Sequence, residues 1–319
     1  MMTLMGQRHK PPLRTAASKV HKIFGLGPLA RANVYGGQDF YRLFEIGEND
    51  GPLRKFAEAA AGPKDVFGTT ASDGKTIDAN VLSRIKGQLQ SADLSSMILS
   101  QQVYAVDTAR KVLPVFREIY VSIKALEDAF CPGISLTGRR GLFNELTEDL
   151  DAAVLGMLAR TPDLSNRRFS LNLNLSAISS KTFSAFDAAL RPEQRSNVVI
   201  EVHRNDLVAN FFQYRKLAPV LVEKGYSICV DGLDSSFLPH LDLKGLNCRF
   251  AKMFWHEDAV GEAATLKEEL AARIKGGEGV TYILARCDNA DAIKVARSVG
   301  IDLLQGKLVD HMVKNNIPM

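Results

Sequence analysis

From residue 97 onward, the apolar and polar residues of this chain follow two alternating patterns. Short runs rich in β-branched residues recur, and longer stretches with an apolar residue at every third or fourth position separate them. The first pattern is typical of buried strands and the second of amphipathic helices. The stretch over 137–160 shows the second pattern, because its apolar residues share one helical face. They are Leu142, Leu146, Leu150, Ala153, Met157 and Leu158.

The order of these patterns predicts the fold class. Two neighbouring strands are predicted over 97–106 and 112–123, joined by a turn at Asp107-Thr108. Further strands are predicted over 169–174, 197–201, 226–231, 246–252, 280–285 and 303–305. The helices between them are predicted over 137–160, 182–190, 205–224, 257–275 and 289–299. This alternation is typical of parallel βα units, and near-continuous apolar strands indicate a sheet buried on both faces. The sequence therefore predicts an α/β fold, a closed (β/α) barrel like the TIM barrel.

The residues before the alternating pattern are less regular. A loop rich in Gly, Thr and Ser is predicted over 62–75, and a polar helix over 78–90. We therefore divide the chain into an arm over 1–38, a helical or linker region over 39–96 and a barrel over 97–319.

The arm over 1–38 carries the basic excess of the chain. It contains six cations and no Asp or Glu, and since the whole chain has a net charge of +4, the remaining residues carry −2. Pro11-Pro12 and scattered Gly argue against a stable helix there. Two interpretations of this basic, partly disordered arm stay open. One is an electrostatic contact with nucleic acid, an anionic membrane or an acidic partner, and the other is a solvated tail that binds nothing specific.

Composition excludes several classes of protein. With 46% hydrophobic and 24% charged residues the chain is globular, and no apolar run is long enough for a membrane span. No secretory signal pattern is visible. The four cysteines include no Cys-x-x-Cys pair, which excludes a disulfide scaffold and a zinc ribbon and favours the cytoplasm. No glycine-rich phosphate loop follows a strand, so a dinucleotide or P-loop site is not expected.

Polar residues follow the predicted strands at their C-terminal ends. In a (β/α) barrel these ends meet at one mouth, where binding and catalytic groups lie. We therefore predict a pocket there, although a plain solvated rim would give the same pattern. The candidate pocket residues are Asn174, Glu201, Asp231, Lys252, Arg286 and Gln305.

Three of these residues would suit a metal ion. Asn174, Glu201 and Asp231 offer the oxygen ligands that Mg²⁺ prefers. Arg286 at the same rim would compete with a cation by pairing with Glu201 or Asp231. A metal site and an internal salt-bridge network therefore remain equal alternatives.

An ordered series of motifs resembles the EAL domain, the (β/α) barrel of cyclic di-GMP phosphodiesterases. The resemblance runs from about Met97 to Val313. Asn174 stands in its Asn-Leu-Ser motif, Asp231 in the stretch that contains Asp-Asp-Phe-Gly, and Gln305 in the closing Gly-x-Asp-x-x-Gln-Gly. The matching segments are 100–103, 173–176, 200–204, 225–235, 251–252 and 300–306.

The resemblance implies a chemistry that this sequence departs from. In the active family, carboxylates and one Asn hold two divalent ions that activate a water for attack on a phosphodiester. Here Arg117 falls in the position of the signature glutamate, although a one-residue shift would put Glu118 there. Val121 replaces a ligand-binding arginine, Gly232 the second aspartate, and Arg286 a carboxylate. These changes remove negative charge and add positive charge, so we expect no metal ion and no phosphodiesterase activity.

We therefore expect a catalytically inactive EAL-like regulatory or scaffold protein of the bacterial cytoplasm. It would act in cyclic di-GMP-related signalling by binding a protein partner and would not be an enzyme. One alternative is a cyclic di-GMP receptor or weak phosphodiesterase that uses the residual site. Another is a nucleic-acid- or membrane-associated protein that uses residues 1–38. No cofactor is expected, and Mg²⁺ is the ion that a residual site would take. A homodimer would fit the resemblance, because relatives often dimerise.

Overall fold

The structure is a computed structural model. It describes residues 75–89, 92–106, 112–161, 165–234, 238, 241–256, 259–275 and 279–317. The predicted arm, most of the predicted 39–96 region and the predicted Asp107-Thr108 turn lie outside the described residues.

The first part of the described chain contains a hairpin flanked by helices. Its elements are β1 (Lys75–Thr76), α1 (Ala79–Leu89), β2 (Ile98–Val106), β3 (Val112–Val121), α2 (Ile123–Phe130), β4 (Ile134–Ser135) and α3 (Arg140–Arg160). Strand β1 pairs in parallel with β4. Helix α1 forms a separate apolar cluster with α2 and α3, in which Leu82, Ile85, Leu126 and Leu146 are buried. This packing attaches the segment before the barrel to the first long helix.

The remaining described chain alternates strands with helices. Its elements are β5 (Phe169–Asn172), α4 (Leu175–Ile178), α5 (Lys181–Ala189), α6 (Pro192–Arg195), β6 (Val198–His203), α7 (Arg204–Ala209), α8 (Phe211–Glu223), β7 (Ser227–Leu233), β8 (Phe250–Phe254), α9 (Ala259–Lys275), β9 (Thr281–Ala285), α10 (Ala290–Val299), β10 (Leu303–Leu304) and α11 (Lys307–Lys314).

Eight strands close into a barrel in the order β10-β2-β3-β5-β6-β7-β8-β9. Strand β2 runs antiparallel to both of its neighbours, β3 and β10, and every other neighbouring pair is parallel. The predicted (β/α) barrel is therefore confirmed. No helix in the described part of the chain is long and apolar enough to cross a bilayer.

The strands are buried on both faces, which explains their near-continuous apolar runs. Their outward side chains pack under the helices in the main core, as Phe169, Ile200 and Val230 do. Their inward side chains fill the barrel with a second, smaller layer. We call this the apolar layer, and its buried members are Val103, Phe116, Val199, Cys229, Phe250, Ile283 and Leu303.

Several element boundaries differ from the predicted ones. The predicted 205–224 helix is divided at Asn210, whose backbone leaves the helical region. The predicted 246–252 strand instead covers Phe250–Phe254, because residues 243–247 form turns. Gly300 ends α10 in the left-handed conformation (φ 81°), as expected for a glycine at this position.

Candidate functional site

A layer of polar side chains lies directly above the apolar layer, at the C-terminal ends of the strands. The position of this layer is explained by strand geometry, because residues two apart in a strand point to the same face. Phe116, Cys229 and Phe250 of the apolar layer are thus followed by polar residues on the inward face. The polar layer consists of Glu118, Asn172, Glu201, Asp231, Lys252 and Gln305.

Lys252 is the centre of this polar layer. Its side chain is 2% exposed, and its Nζ lies 2.5 Å from Glu201 Oε2 and 3.0 Å from Glu118 Oε2. Asp231 Oδ1 is 4.0 Å from the same nitrogen. One buried ammonium group therefore faces three carboxyl groups, contributed by three different strands.

Glu118 is the most fully hydrogen-bonded of the three carboxyl groups. Its Oε1 accepts a hydrogen bond of 2.6 Å from Asn172 Nδ2. Its Oε2 accepts bonds from Gln305 Nε2 at 2.7 Å and from Lys252 Nζ at 3.0 Å. Burial opposes the ionisation of Glu118, but the Lys252 charge and these hydrogen bonds outweigh it and lower its pKa.

The other two carboxyl groups are less well compensated. Burial, reinforced by the negative charge of Glu118, raises the pKa of Glu201 to about 8 and also raises the pKa of Asp231. Burial acts against the charge of Lys252, yet the three carboxyl groups raise its pKa well above the ordinary value. The site therefore favours the ionised form of Glu118 most strongly, while burial opposes the ionisation of Glu201 and Asp231.

Four of the predicted pocket residues meet in this layer, namely Glu201, Asp231, Lys252 and Gln305. Asn174 does not join them. Its Nδ2 donates to Asp151 Oδ2 at 2.8 Å and to Thr147 Oγ1 at 3.2 Å, and its backbone N–H also donates to Asp151 Oδ2. Strand β5 ends at Asn172, so Asn174 already precedes α4 and its side chain lies against α3. The trio predicted for a metal ion is thus not assembled.

Arg286 also differs from its predicted role. Its guanidinium lies 4.3 Å from the centre of the Phe254 ring, and its backbone is in the left-handed region (φ 61°), which is uncommon for a residue other than glycine. The cation within salt-bridge distance of Glu201 and Asp231 is Lys252, not Arg286. The predicted neutralisation of these acids is therefore performed by a residue of the neighbouring strand.

Sequence reasoning placed Arg117 where the structure has Glu118, and it did not include Asn172 in the pocket. Phe116 belongs to the apolar layer, so Glu118 shares its inward face and Arg117 points outward. A register shift between Val103 and Tyr104 on the partner strand interrupts the pairing at this point. The orientation of Phe116 shows the correct register only in the folded structure, because both faces of β3 are largely apolar in sequence.

Gly232, directly after Asp231, leaves a space that His203 occupies. Its φ is +74°, and a Cβ placed on it would lie 2.4 Å from His203 Nε2. His203 pairs with Asp231 across β6 and β7, and its Nδ1 accepts a hydrogen bond of 3.2 Å from the Asn205 N–H. An imidazole ring thus stands where the side chain of residue 232 would begin.

The polar layer does not fit a pair of divalent ions. Oε1 of Glu201 and Oδ1 of Asp231 are buried without a hydrogen-bond partner in the described structure, which by itself would favour a cation. However, the Lys252 ammonium already lies between these acids and Glu118. Among the described residues, no group of three or more His, Cys, Asp or Glu side chains is arranged to hold a metal ion.

Comparison with known proteins shows the fold. A scan against protein-family models and a search of curated proteins both find no match. Among solved structures, the chain resembles Vibrio cholerae LapD S helix-GGDEF-EAL bound to c-di-GMP, with a TM-score of 0.55, 14% identity and coverage of 96% of this chain and 75% of that chain. The apo form of the same protein gives a TM-score of 0.55, 16% identity and coverage of 83% and 67%.

A FimX EAL domain is similar with a TM-score of 0.52 and 16% identity, over 72% of this chain and 94% of that domain. The chain therefore has the fold of EAL domains, as its motifs indicated.

Proposed function

We propose that this chain is a non-hydrolytic EAL-fold protein of bacterial cyclic di-GMP-related signalling that acts by binding a protein partner. The observation that carries the proposal is Gly232, because the His203 ring fills the space where the family's second aspartate side chain would begin. The carboxyl groups of Glu201 and Glu118 lie 2.5 Å and 3.0 Å from the buried Lys252 ammonium.

The chemistry of phosphodiester hydrolysis explains why this position matters. Two-metal hydrolysis needs carboxylates that clamp two ions roughly 4 Å apart, so that one ion activates the attacking water and both stabilise the transition state. In this chain, Gly232 contributes no carboxylate and Arg286 brings a positive charge to the mouth. Three carboxyl groups share one fixed ammonium group, which lowers their attraction for a divalent cation.

The structural neighbours support the link to cyclic di-GMP. The LapD structure that this chain resembles is of a protein bound to c-di-GMP. The shared fold supports a role in the same signalling system, and the altered mouth supports a role that does not consume the dinucleotide.

Turnover measurements test the proposal directly. The full-length chain, incubated with cyclic di-GMP and either Mg²⁺ or Mn²⁺, should produce no linear dinucleotide above the uncatalysed background. The matched control is Glu201→Gln, which removes the acid nearest to Lys252. Turnover by the unaltered protein that disappears in Glu201→Gln would overturn the proposal.

A second function is favoured by the position of Glu118. This carboxylate lies inside the mouth with Asn172 and Gln305. The mouth therefore contains a glutamate on β3, which was not expected when Arg117 was assigned to the position of the signature glutamate. A cyclic di-GMP receptor or a weak phosphodiesterase is therefore the alternative. Calorimetric titration separates the cases, because sub-millimolar binding without turnover indicates a receptor and the absence of binding leaves the protein-binding role.

The basic arm supports a separate alternative that lies outside the described residues. If residues 1–38 bind nucleic acid or an anionic membrane, the affinity should fall steeply with salt and disappear when the arm is deleted. A cytoplasmic location and a homodimer remain predictions of the sequence, and Mg²⁺ remains the ion to be tried in the titration.

A further inference from the structure

Two arginines lie at the end of the barrel opposite the polar layer. Arg168 directly precedes β5, and Arg249 directly precedes β8. Arg168 shares the inward face of β5 with Ser170 and Asn172, because these residues are two apart. The Arg249 guanidinium lies 5.5 Å from the ring centre of Phe250, a member of the apolar layer. Both cations therefore lie at the N-terminal end of the barrel, below the apolar layer.

These arginines differ from other arginines of the described structure in their partners. Arg195 pairs with Asp187, Arg204 with Asp234 and Arg273 with Glu269. Within the residues that the structure describes, neither Arg168 nor Arg249 has a carboxylate in salt-bridge distance or a side-chain hydrogen bond. The positive charge of these two groups is thus not balanced from within the described chain.

The two arginines also act on each other. Burial, and then the positive charge of Arg249, lower the pKa of Arg168. Arg168 is half-buried and Arg249 is exposed, so water screens the repulsion between their like charges only in part. Arg167, exposed next to Arg168, adds a third positive charge at the same end. An anion would remove this repulsion.

The hydroxyl group of Ser170 lies on the same inward face of β5, two residues after Arg168. Ser170 is fully buried, and its Oγ has no hydrogen-bond partner in the described part of the chain. Buried polar groups are normally satisfied by protein or by a bound molecule. The unsatisfied hydroxyl of Ser170, two residues from Arg168 on the same inward face, is therefore a second sign of a missing polar partner.

We propose that the guanidinium groups of Arg168 and Arg249 form a binding site for a phosphate-type oxyanion at the N-terminal end of the barrel. The planar guanidinium group presents several N–H donors in a fork that matches the oxygens of a phosphate. The site is separate from the polar layer, which lies at the opposite end of the barrel. It does not depend on the function proposed for the mouth.

Phosphate titration of the full-length chain tests the site. Inorganic phosphate should raise the unfolding temperature above that in sodium chloride of equal ionic strength, and calorimetry should detect the same binding. Arg168→Gln and Arg249→Gln should each weaken phosphate binding at least tenfold. Arg215→Gln, which removes the same charge from an exposed arginine of α8, should leave phosphate binding unchanged.

Three results would overturn the site. One is the absence of a phosphate effect beyond that of chloride. Another is an equal loss of binding in Arg215→Gln, which would indicate a general charge effect. The last is a loss in Arg286→Gln with retention in Arg168→Gln, which would place the anion at the mouth. If Arg168→Gln fails to fold, Arg168→Lys is the substitute, because lysine keeps the charge but lacks the paired N–H donors of a guanidinium group. Its affinity for phosphate should be several-fold lower than that of the unaltered chain.

Discussion

The His203 ring lies so close to Gly232 that residue 232 cannot gain a side chain while His203 keeps this position. A Cβ on residue 232 would lie 2.4 Å from His203 Nε2 and 2.7 Å from Cδ2 of the same ring. Gly232 also has a φ of +74°, a conformation that L-residues with a side chain rarely adopt. Restoring an aspartate at this position would therefore require a different residue at 203 as well.

Gly232→Ala should lower the free energy of unfolding by at least about 2 kcal/mol, because strained backbone and a steric overlap add. Replacing His203 by Ala in the same chain should recover the steric part and leave a backbone loss of about 1–2 kcal/mol. Urea denaturation of the two single variants and the double variant gives the coupling energy.

The control for this cycle is Gly87→Ala. Gly87 lies in α1 with nothing within 4 Å of an added Cβ, so alanine should stabilise the helix by roughly 0.5–1 kcal/mol. Additive effects of Gly232→Ala and His203→Ala would contradict the contact.

The inward position of Glu118 predicts different results for two neighbouring residues. Glu118→Gln removes a charged acceptor from buried Lys252 and should lower the free energy of unfolding by roughly 2–3 kcal/mol. Arg117→Gln, on the outward face, should change it by less than about 1 kcal/mol, since its buried Nε has no hydrogen-bond partner in the described structure. Urea denaturation measures both losses. A larger loss of stability in Arg117→Gln than in Glu118→Gln would indicate that Arg117, not Glu118, points into the barrel.

Lys252 predicts a large effect from the loss of one charge. Lys252→Met leaves three buried carboxyl groups without their cation and should destabilise the fold by about 3–5 kcal/mol at neutral pH. The loss should be smaller at pH 5, where protonated carboxyl groups need no counter-charge. Lys294→Met is the matched control, because Lys294 is 74% exposed and its ion pair, at 2.9 Å, is with the exposed Asp291. Equal losses in the two variants would refute a central role for Lys252.

The fold could be predicted from the sequence because the spacing of apolar residues in a strand or a helix is visible within a short segment. Predicted strands such as 226–231 and 280–285 coincide with β7 and β9 to within two residues. The site was harder, because it depends on where a strand ends. Asn172 and Asn174 are two residues apart and would point to the same face if the strand continued. Strand β5 ends at Asn172, however, and the Asn174 side chain bonds to Asp151 instead of facing the mouth.

The choice between Arg117 and Glu118 shows a second limit. A one-residue shift reverses every side chain of a strand, and both faces of β3 are largely apolar. The irregular pairing opposite Tyr104 further weakens the alternation. Long-range partners such as Gln305, which lies 187 residues from Glu118 in sequence, settle the register in the folded chain. No local pattern contains that information.

Asp151 predicts a pH dependence of stability that is separate from the mouth. Burial, with smaller contributions from Glu148 and Asp206, raises its pKa to about 7, although Asn174 donates hydrogen bonds to it. The folded chain therefore keeps a proton that the unfolded chain releases near pH 4. Asp151 should therefore contribute a fall in stability of at most about 4 kcal/mol as the pH rises from about 4 to about 7. This contribution adds to any fall from Glu201 and Asp231, whose pKa values are also raised by burial.

Asp151→Asn should remove the contribution of Asp151 to this fall, since the amide carries no titrating proton and its oxygen still accepts from Asn174. Urea midpoints measured between pH 4 and pH 8 give the slope for both proteins. Asp128→Asn, which removes an exposed acid paired with Lys124, is the matched control and should keep the slope of the unaltered chain. A slope in Asp151→Asn equal to that of the unaltered chain would assign the pH dependence to another buried acid, with Glu201 the next to be replaced.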